Sequence, residues 1–331
     1  MNTFRFLLLS AITGLVEVGT VLFAIAQGYS VVQLLAIVLA YQIGCFFPKN
    51  ISLKKPLLFL FCVLSILSNI AFYFDINNWW LLAVSILFLS PCLQSLRSVL
   101  KSSINVGVKR GFRIVGFALA PLFSVYALSI ISLLCFLFLI DYNQNNINGV
   151  NFVPLRCPYT VMIVHQMHYF SYTYIVLFII STFDKYHGWL TSIIFVLGWI
   201  TYTIVPYVLR KRKYAIYLIS GHTFLFFIIL SMAFTQSSWL FVILWVLTGF
   251  GGGTVFCIKE LLKRNNCYEE VVLETAESYG HVLGVLCSMI IYSIFNLLAA
   301  PIIFAAICAI ATVILTFIFK FHKNGGEKKY D

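Results

Sequence analysis

The chain has 331 residues, of which 61% are hydrophobic and 10% charged, and it carries a net charge of +11. A water-soluble protein of this length must cover its outside with polar side chains, so this balance excludes a soluble globule; apolar runs of about 20 residues instead become helices across a bilayer. The Lys and Arg surplus sits in short loops between such runs, which fits cytoplasmic retention and excludes a nucleic-acid interface.

In chain order, the apolar runs cover residues 5–27, 30–46, 56–74, 79–96, 112–140, 159–183, 189–209, 215–234, 239–257, 278–298 and 301–320. The first lacks an A-x-A-like cleavage site and reads as a retained helix. The fifth, 112–140, is long for one crossing. With the N-terminus cytoplasmic, Lys49, Lys54, Lys55, Arg97, Lys101, Lys109, Arg110 and Arg113 lie inside. If 104–140 crosses twice, turning near Pro121 and Leu122, then Arg210, Lys211, Arg212, Lys213, Lys259, Lys263, Arg264 and the basic tail also lie inside, and only Lys185 is misplaced. A single crossing puts those later residues outside. The expectation is therefore an all-α polytopic membrane protein of 11–12 transmembrane helices, 12 preferred, in the plasma (inner) membrane with both termini cytoplasmic. Lys109, Arg110 and Arg113 then fall on the first turns of a helix, where long side chains snorkel to the interface. The nine Cys form no CxxC pair and read as small core residues.

The chain also repeats itself. Lys213 follows Lys55 by 158 residues, Lys259 follows Lys101 by 158, and Trp239 follows Trp80 by 159. Because the repeated pieces share one orientation, the halves are parallel repeats about an axis along the membrane normal. They divide as 1–140, an N-terminal helical half, and 159–331, a C-terminal half with a basic tail, joined by a polar, Asn-rich cytoplasmic linker at 141–158. With basic loops after the second and eighth helices, "FFPKNISLKKP" and "RKRKY", and a Gly/Pro stretch "KRGFRIVGFALAP" in the fifth, the chain resembles the major facilitator superfamily. It lacks the Gly-x-x-x-Asp loop after helix two and is shorter than is usual there. The resemblance implies two six-helix halves and a cavity lined by the first, fourth, seventh and tenth helices.

Helix breaks at matching positions mark a transporter site. Pro91 and Gly249 are 158 apart, and Gly251, Gly252 and Gly253 follow in "GFGGGT". These are read as cavity-lining breaks, with close helix packing as the alternative. Glu17, twelve residues into the first run, is costly at mid-bilayer unless it faces a cavity, carries a proton or pairs with a buried base. His165 and His168 share a helix face with Tyr169 and Tyr172 and could relay protons, or bind a metal or anionic chelate of the solute. His222, on a helix peripheral in the superfamily, reads as structural. Glu270, Glu274, Glu277 and His281 form one helical stripe. Glu277 and His281 could reach the cavity, while Glu270 and Glu274 could form a cytoplasmic gate with Lys49, Lys54 and Lys55.

With no Walker A motif, energy must come from a gradient. The function expected is a secondary active transporter, proton-coupled through Glu17 and the histidines, moving a small polar or zwitterionic solute such as a siderophore-like metal chelator. The alternatives are an integral membrane transferase using His165 or His168 as base, and a non-transporting sensor or assembly partner. No cofactor and no resident metal are expected. The partners are the bilayer, the solute and protons, the protein acting as a monomer.

Overall fold

The computed structural model describes residues 2–50, 53–99, 106–141, 146–147, 157–184, 188–209 and 213–319. Lys101, Lys185, Arg210, Lys211, Arg212, most of the linker and the basic tail lie outside that set. The described chain is helical and multi-pass. Its first six helices are α1 (Asn2–Ala26), α2 (Val31–Asn50), α3 (Lys55–Phe74), α4 (Trp79–Val99), α5 (Val106–Ala118) and α6 (Val125–Ile140). Then follow α7 (Thr160–Ser181), α8 (Trp189–Val208), α9 (Tyr214–Phe234), α10 (Ser238–Gly252), α11 (Phe256–Arg264), α12 (Glu270–Phe295) and α13 (Ala299–Ile318). A short strand pair, β1 (Leu53–Lys54) with β2 (Asn146–Ile147), runs antiparallel. Ten of these segments are long and apolar enough to cross a membrane.

The boundaries have local causes. Gly28 adopts φ +74° after α1. Its N–H donates to the Ile25 carbonyl at 2.9 Å while Tyr29 N–H donates to Ala24 at 3.1 Å, a paired closure that satisfies the last carbonyls. α2 opens on a reciprocal cap: Gln33 N–H donates to Ser30 Oγ at 3.3 Å and Ser30 N–H to Gln33 Oε1 at 2.8 Å. Asn266 (φ 53°) and Asn296 (φ 49°) provide the left-handed residues that end α11 and α12. The Asp184 carboxylate accepts from the Thr191 N–H and hydroxyl, each at 2.8 Å, in the first turn of α8.

The chain packs as two compact units, one of residues 1–153 with 176–196, the other of 154–175 with 197–331. In the first, α3 shows why the solvent is lipid. Leu58, Cys62, Ser65, Asn69 and Phe72 are buried, whereas Leu60, Val63, Leu67, Ile70 and Phe74 are exposed. Polar groups thus face inward and hydrocarbon outward, the reverse of a soluble helix. Ser65 Oγ donates to the Ser85 carbonyl at 2.8 Å and meets Ser132 Oγ at 2.9 Å, joining α3, α4 and α6. In the second unit α9 repeats the pattern, burying Leu218, His222, Leu225, Ile229 and Met232.

The described part of the region 104–140, residues 106–140, divides at Pro121, in line with the charge pattern. Gly116 abuts Ala11 and Leu15, and Gly19 abuts Phe123, so α5 and the following 3-10 turn (Ala120–Leu122) climb beside α1 in the same direction. α6 then returns along α3. Tyr73 meets Tyr126 at 5.4 Å between ring centroids, Asn69 Nδ2 donates to Ser129 Oγ at 2.6 Å, and Lys55 Nζ reaches the Ile140 carbonyl at 3.5 Å. Arg5 closes the circuit with Asp141 at 2.8 Å. The 16 residues of α6 therefore run the length of the 20-residue α3.

Candidate functional site

Among the described residues, each unit buries a cluster of ionisable side chains in its interior. The first forms where α1 and α5 cross. A Cβ added at Gly14 would overlap the Arg113 carbonyl, and one at Gly116 the Ala11 carbonyl, so the backbones touch and only glycine fits. That contact brings the Arg113 guanidinium onto the Glu17 carboxylate: both Nε (3.2 Å) and Nη2 donate to Glu17 Oε2. Glu17 is buried to 7% exposure. Tyr41 of α2 and Arg97 of α4 lie within electrostatic reach of the pair and of Cys45. Arg97 Nε is buried with no hydrogen-bond partner among the described residues. Two guanidiniums thus accompany one carboxylate. The snorkelling expected of Arg113 does not occur, because a buried acid one helix away offers it an ion pair. The premise that the basic residues belong to loops fails for Arg97 and Arg113, which lie on α4 and α5.

The second cluster joins α7 to α9. His165 Nδ1 and His222 Nε2 are 2.8 Å apart. His168 Nδ1 lies 2.5 Å from the His165 carbonyl, and His222 Nδ1 3.0 Å from the Leu218 carbonyl. All three imidazoles are buried, and one ring nitrogen from each falls within 4.8 Å of the others. Gly221 lets α9 close on the turn after α10, since a Cβ there would overlap Thr254. Thr254 Oγ1 in turn sits 3.3 Å from His222 Nδ1. His168 also lines a cavity of about 10 Å³, room for about one water, walled by Tyr169, Tyr172, Trp199, Tyr202 and Trp245.

The other expected site residues are dispersed. Gly249 and Gly252 border that cavity. Gly253 abuts the Tyr202 carbonyl of α8, and Gly251 the Gly221 carbonyl of α9, so these two serve packing. α10 does break here, into a 3-10 turn at Gly253–Val255, whereas α4 runs unbroken through Pro91, whose ring faces Gly44. Glu277 and His281 are half-buried on α12. The His281 ring lies 4.0 Å from Phe170, and neither residue borders the cavity. Lys54 is exposed, Lys55 is turned to the end of α6, and the Lys49 side chain lies outside the described residues. Glu270 opens α12, and the Glu274 carbonyl accepts from Ser278 Oγ at 2.8 Å.

His222, Arg97 and Arg113 were not legible as site residues. The sequence signal that could have found His222 is the Gly221 beside it, a mark of close helix approach.

No known family profile and no curated protein matches the sequence. Solved structures do. A bacterial metal transporter superposes with TM-score 0.63 at 13% identity, over 98% of this chain and 97% of that one. The human organic anion transporter MFSD10 superposes with TM-score 0.54 at 12% identity, over 94% and 96%. The fold is thus the major-facilitator-like one expected of the two helical repeats.

Proposed function

We propose that the protein is a secondary active transporter that moves a small anionic or zwitterionic solute by alternating access, coupled to protons through Glu17. The observation that supports this is the buried Glu17–Arg113 pair with Arg97 beside it. The buried Glu17 carboxylate is held as an anion by its ion pair with Arg113. When it takes up a proton, the ion pair with Arg113 is released, and Arg113 can turn to an anionic group of the solute alongside Arg97. Solute anion and proton then bind and leave together, giving a net-neutral symport. Both transporters that share the fold fit this reading, one described for metal and one for organic anions.

In the same reading the moving parts are the halves 1–140 and 159–331, and Lys49, Lys54, Lys55, Glu270 and Glu274 form the cytoplasmic gate. The protein works as a monomer in the plasma (inner) membrane with both termini cytoplasmic. A siderophore-like metal chelate, rich in carboxylates, satisfies the charge of the first cluster.

The test uses sealed proteoliposomes and a labelled panel of small carboxylates, amino acids and metal chelates. The wild-type protein is expected to accumulate one class of solute when a pH gradient is imposed. Glu17→Gln, a stand-in for the protonated acid, is expected to retain solute exchange and lose pH-driven accumulation. If no solute moves in wild type, transport is refuted; if accumulation survives Glu17→Gln, Glu17 is not the coupling group.

A further inference from the structure

We infer that His165, His168 and His222 form a binding site for one divalent first-row transition-metal ion, such as Zn²⁺ or Co²⁺, with an open coordination position toward the aromatic cavity. Three independent features carry this. First, one nitrogen from each ring lies within 4.8 Å of the other two, a spread that small rotamer shifts bring to the 2.0–2.1 Å Zn–N distance. Second, backbone carbonyls select the tautomers. His168 Nδ1–H donates to His165 O at 2.5 Å and His222 Nδ1–H to Leu218 O at 3.0 Å. Each leaves Nε2 as a lone pair, and an imidazole N–H on a backbone carbonyl is the usual support behind a metal-bound histidine. Third, His168 Nε2 is buried with no hydrogen-bond partner among the described residues, and its ring lines the cavity.

In the metal-free state His165 Nδ1 donates its proton to the free His222 Nε2 lone pair at 2.8 Å. Metal entry replaces that bond: the His165 proton moves to Nε2 of the same ring through solvent, and Nδ1 becomes the third ligand. The cavity of about 10 Å³ admits one water or one ion but no organic solute. Three neutral imidazoles and no carboxylate suit zinc, cobalt, nickel or ferrous iron and disfavour Mg²⁺ and Ca²⁺, which require oxygen ligands. The fourth position would hold water. The site stands apart from the proposed transport reaction, because binding is measurable in detergent without a sealed membrane.

The experiment titrates the purified, tag-free protein with Co²⁺ and Zn²⁺, with Mg²⁺ as control. Expected are one equivalent bound, the visible absorption of tetrahedral Co²⁺, an X-ray absorption spectrum of bound Zn²⁺ with three imidazole nitrogens, and no Mg²⁺ binding. His168→Gln and His222→Gln are each expected to weaken Co²⁺ binding at least 100-fold. The spectrum of the wild-type protein counts imidazoles without any variant, so a misfolded variant does not decide the matter. The inference is overturned by absence of binding to the folded protein. It is equally overturned by a spectrum with fewer than three imidazoles, or by unchanged affinity in both folded variants, which would place the ion on His187, His281 or His322.

Discussion

At the scale of single residues, Glu17 and Arg113 are the sharpest case of interdependence. The Glu17 side chain is 5% exposed and that of Arg113 28%. Removing one charge strands the other in a region of low dielectric, which costs about 3–5 kcal/mol, whereas removing both is far milder. Arg113→Gln is therefore expected to lower the thermal midpoint in detergent more than the double variant Glu17→Gln with Arg113→Gln does. A purely additive result would show that the pair is not coupled. Gly28 and Gly111 separate conformational from steric effects, since a Cβ meets nothing within 4 Å at either position. Gly28 holds φ +74°, so Gly28→Ala should cost about 1–2 kcal/mol. Gly111 lies inside α5, so Gly111→Ala should stabilise by about 0.5–1 kcal/mol. Melting of the two variants side by side reads both signs.

At the scale of elements, helix contacts rest on glycines that the apolar runs do not reveal. Hydropathy alone delimits α1, α3, α8 and α13 to within a few residues, because a run of about 20 residues has one physical solution in a bilayer. It fails at 112–140, where two helices share an unbroken apolar run and only charge placement and Pro121 separate them. It also cannot pair a residue with its partner across helices. Glu17 was legible as costly, but its partner Arg113 was hidden among the basic residues of a helix start. His222 was hidden because the depth and rotation of α9 depend on Gly221 and Gly251. The α1–α5 crossing is expected to be intolerant of bulk. Gly116→Ala forces the helices apart against the Ala11 carbonyl, and overpacking of this kind costs about 1–3 kcal/mol. The contrast with Gly111→Ala, five residues away in the same helix, is the measurement that isolates packing.

For the whole molecule, the repeat was legible as a constant offset, and the fold follows it. α3 lies against α4 and α6, and α9 against α10 and α13, so corresponding helices keep corresponding neighbours. Two features escape the symmetry. α10 breaks at its glycines while α4 continues through Pro91. The second is the distribution of polar interiors, with an acid and two guanidiniums in one unit and three imidazoles in the other. The two bundles thus enclose different chemistry, which no offset in the sequence can show.

The composition of the two units bears on how the protein is made. The first unit takes in residues 176–196, which lie beyond the linker, and the second begins with 154–175. The first bundle is therefore expected to be incomplete when α6 leaves the ribosome. Its completion is expected to need residues 176–196, where Ser192 Oγ donates to the Phe117 carbonyl at 2.5 Å and Phe195 meets Phe117 at 5.3 Å. A gene severed at codon 150 should yield a first fragment that is degraded when expressed alone and rescued when the second fragment is made beside it. Severing at codon 198 should leave a first fragment that persists by itself, as immunoblots of the membrane fraction would read for the two severed genes.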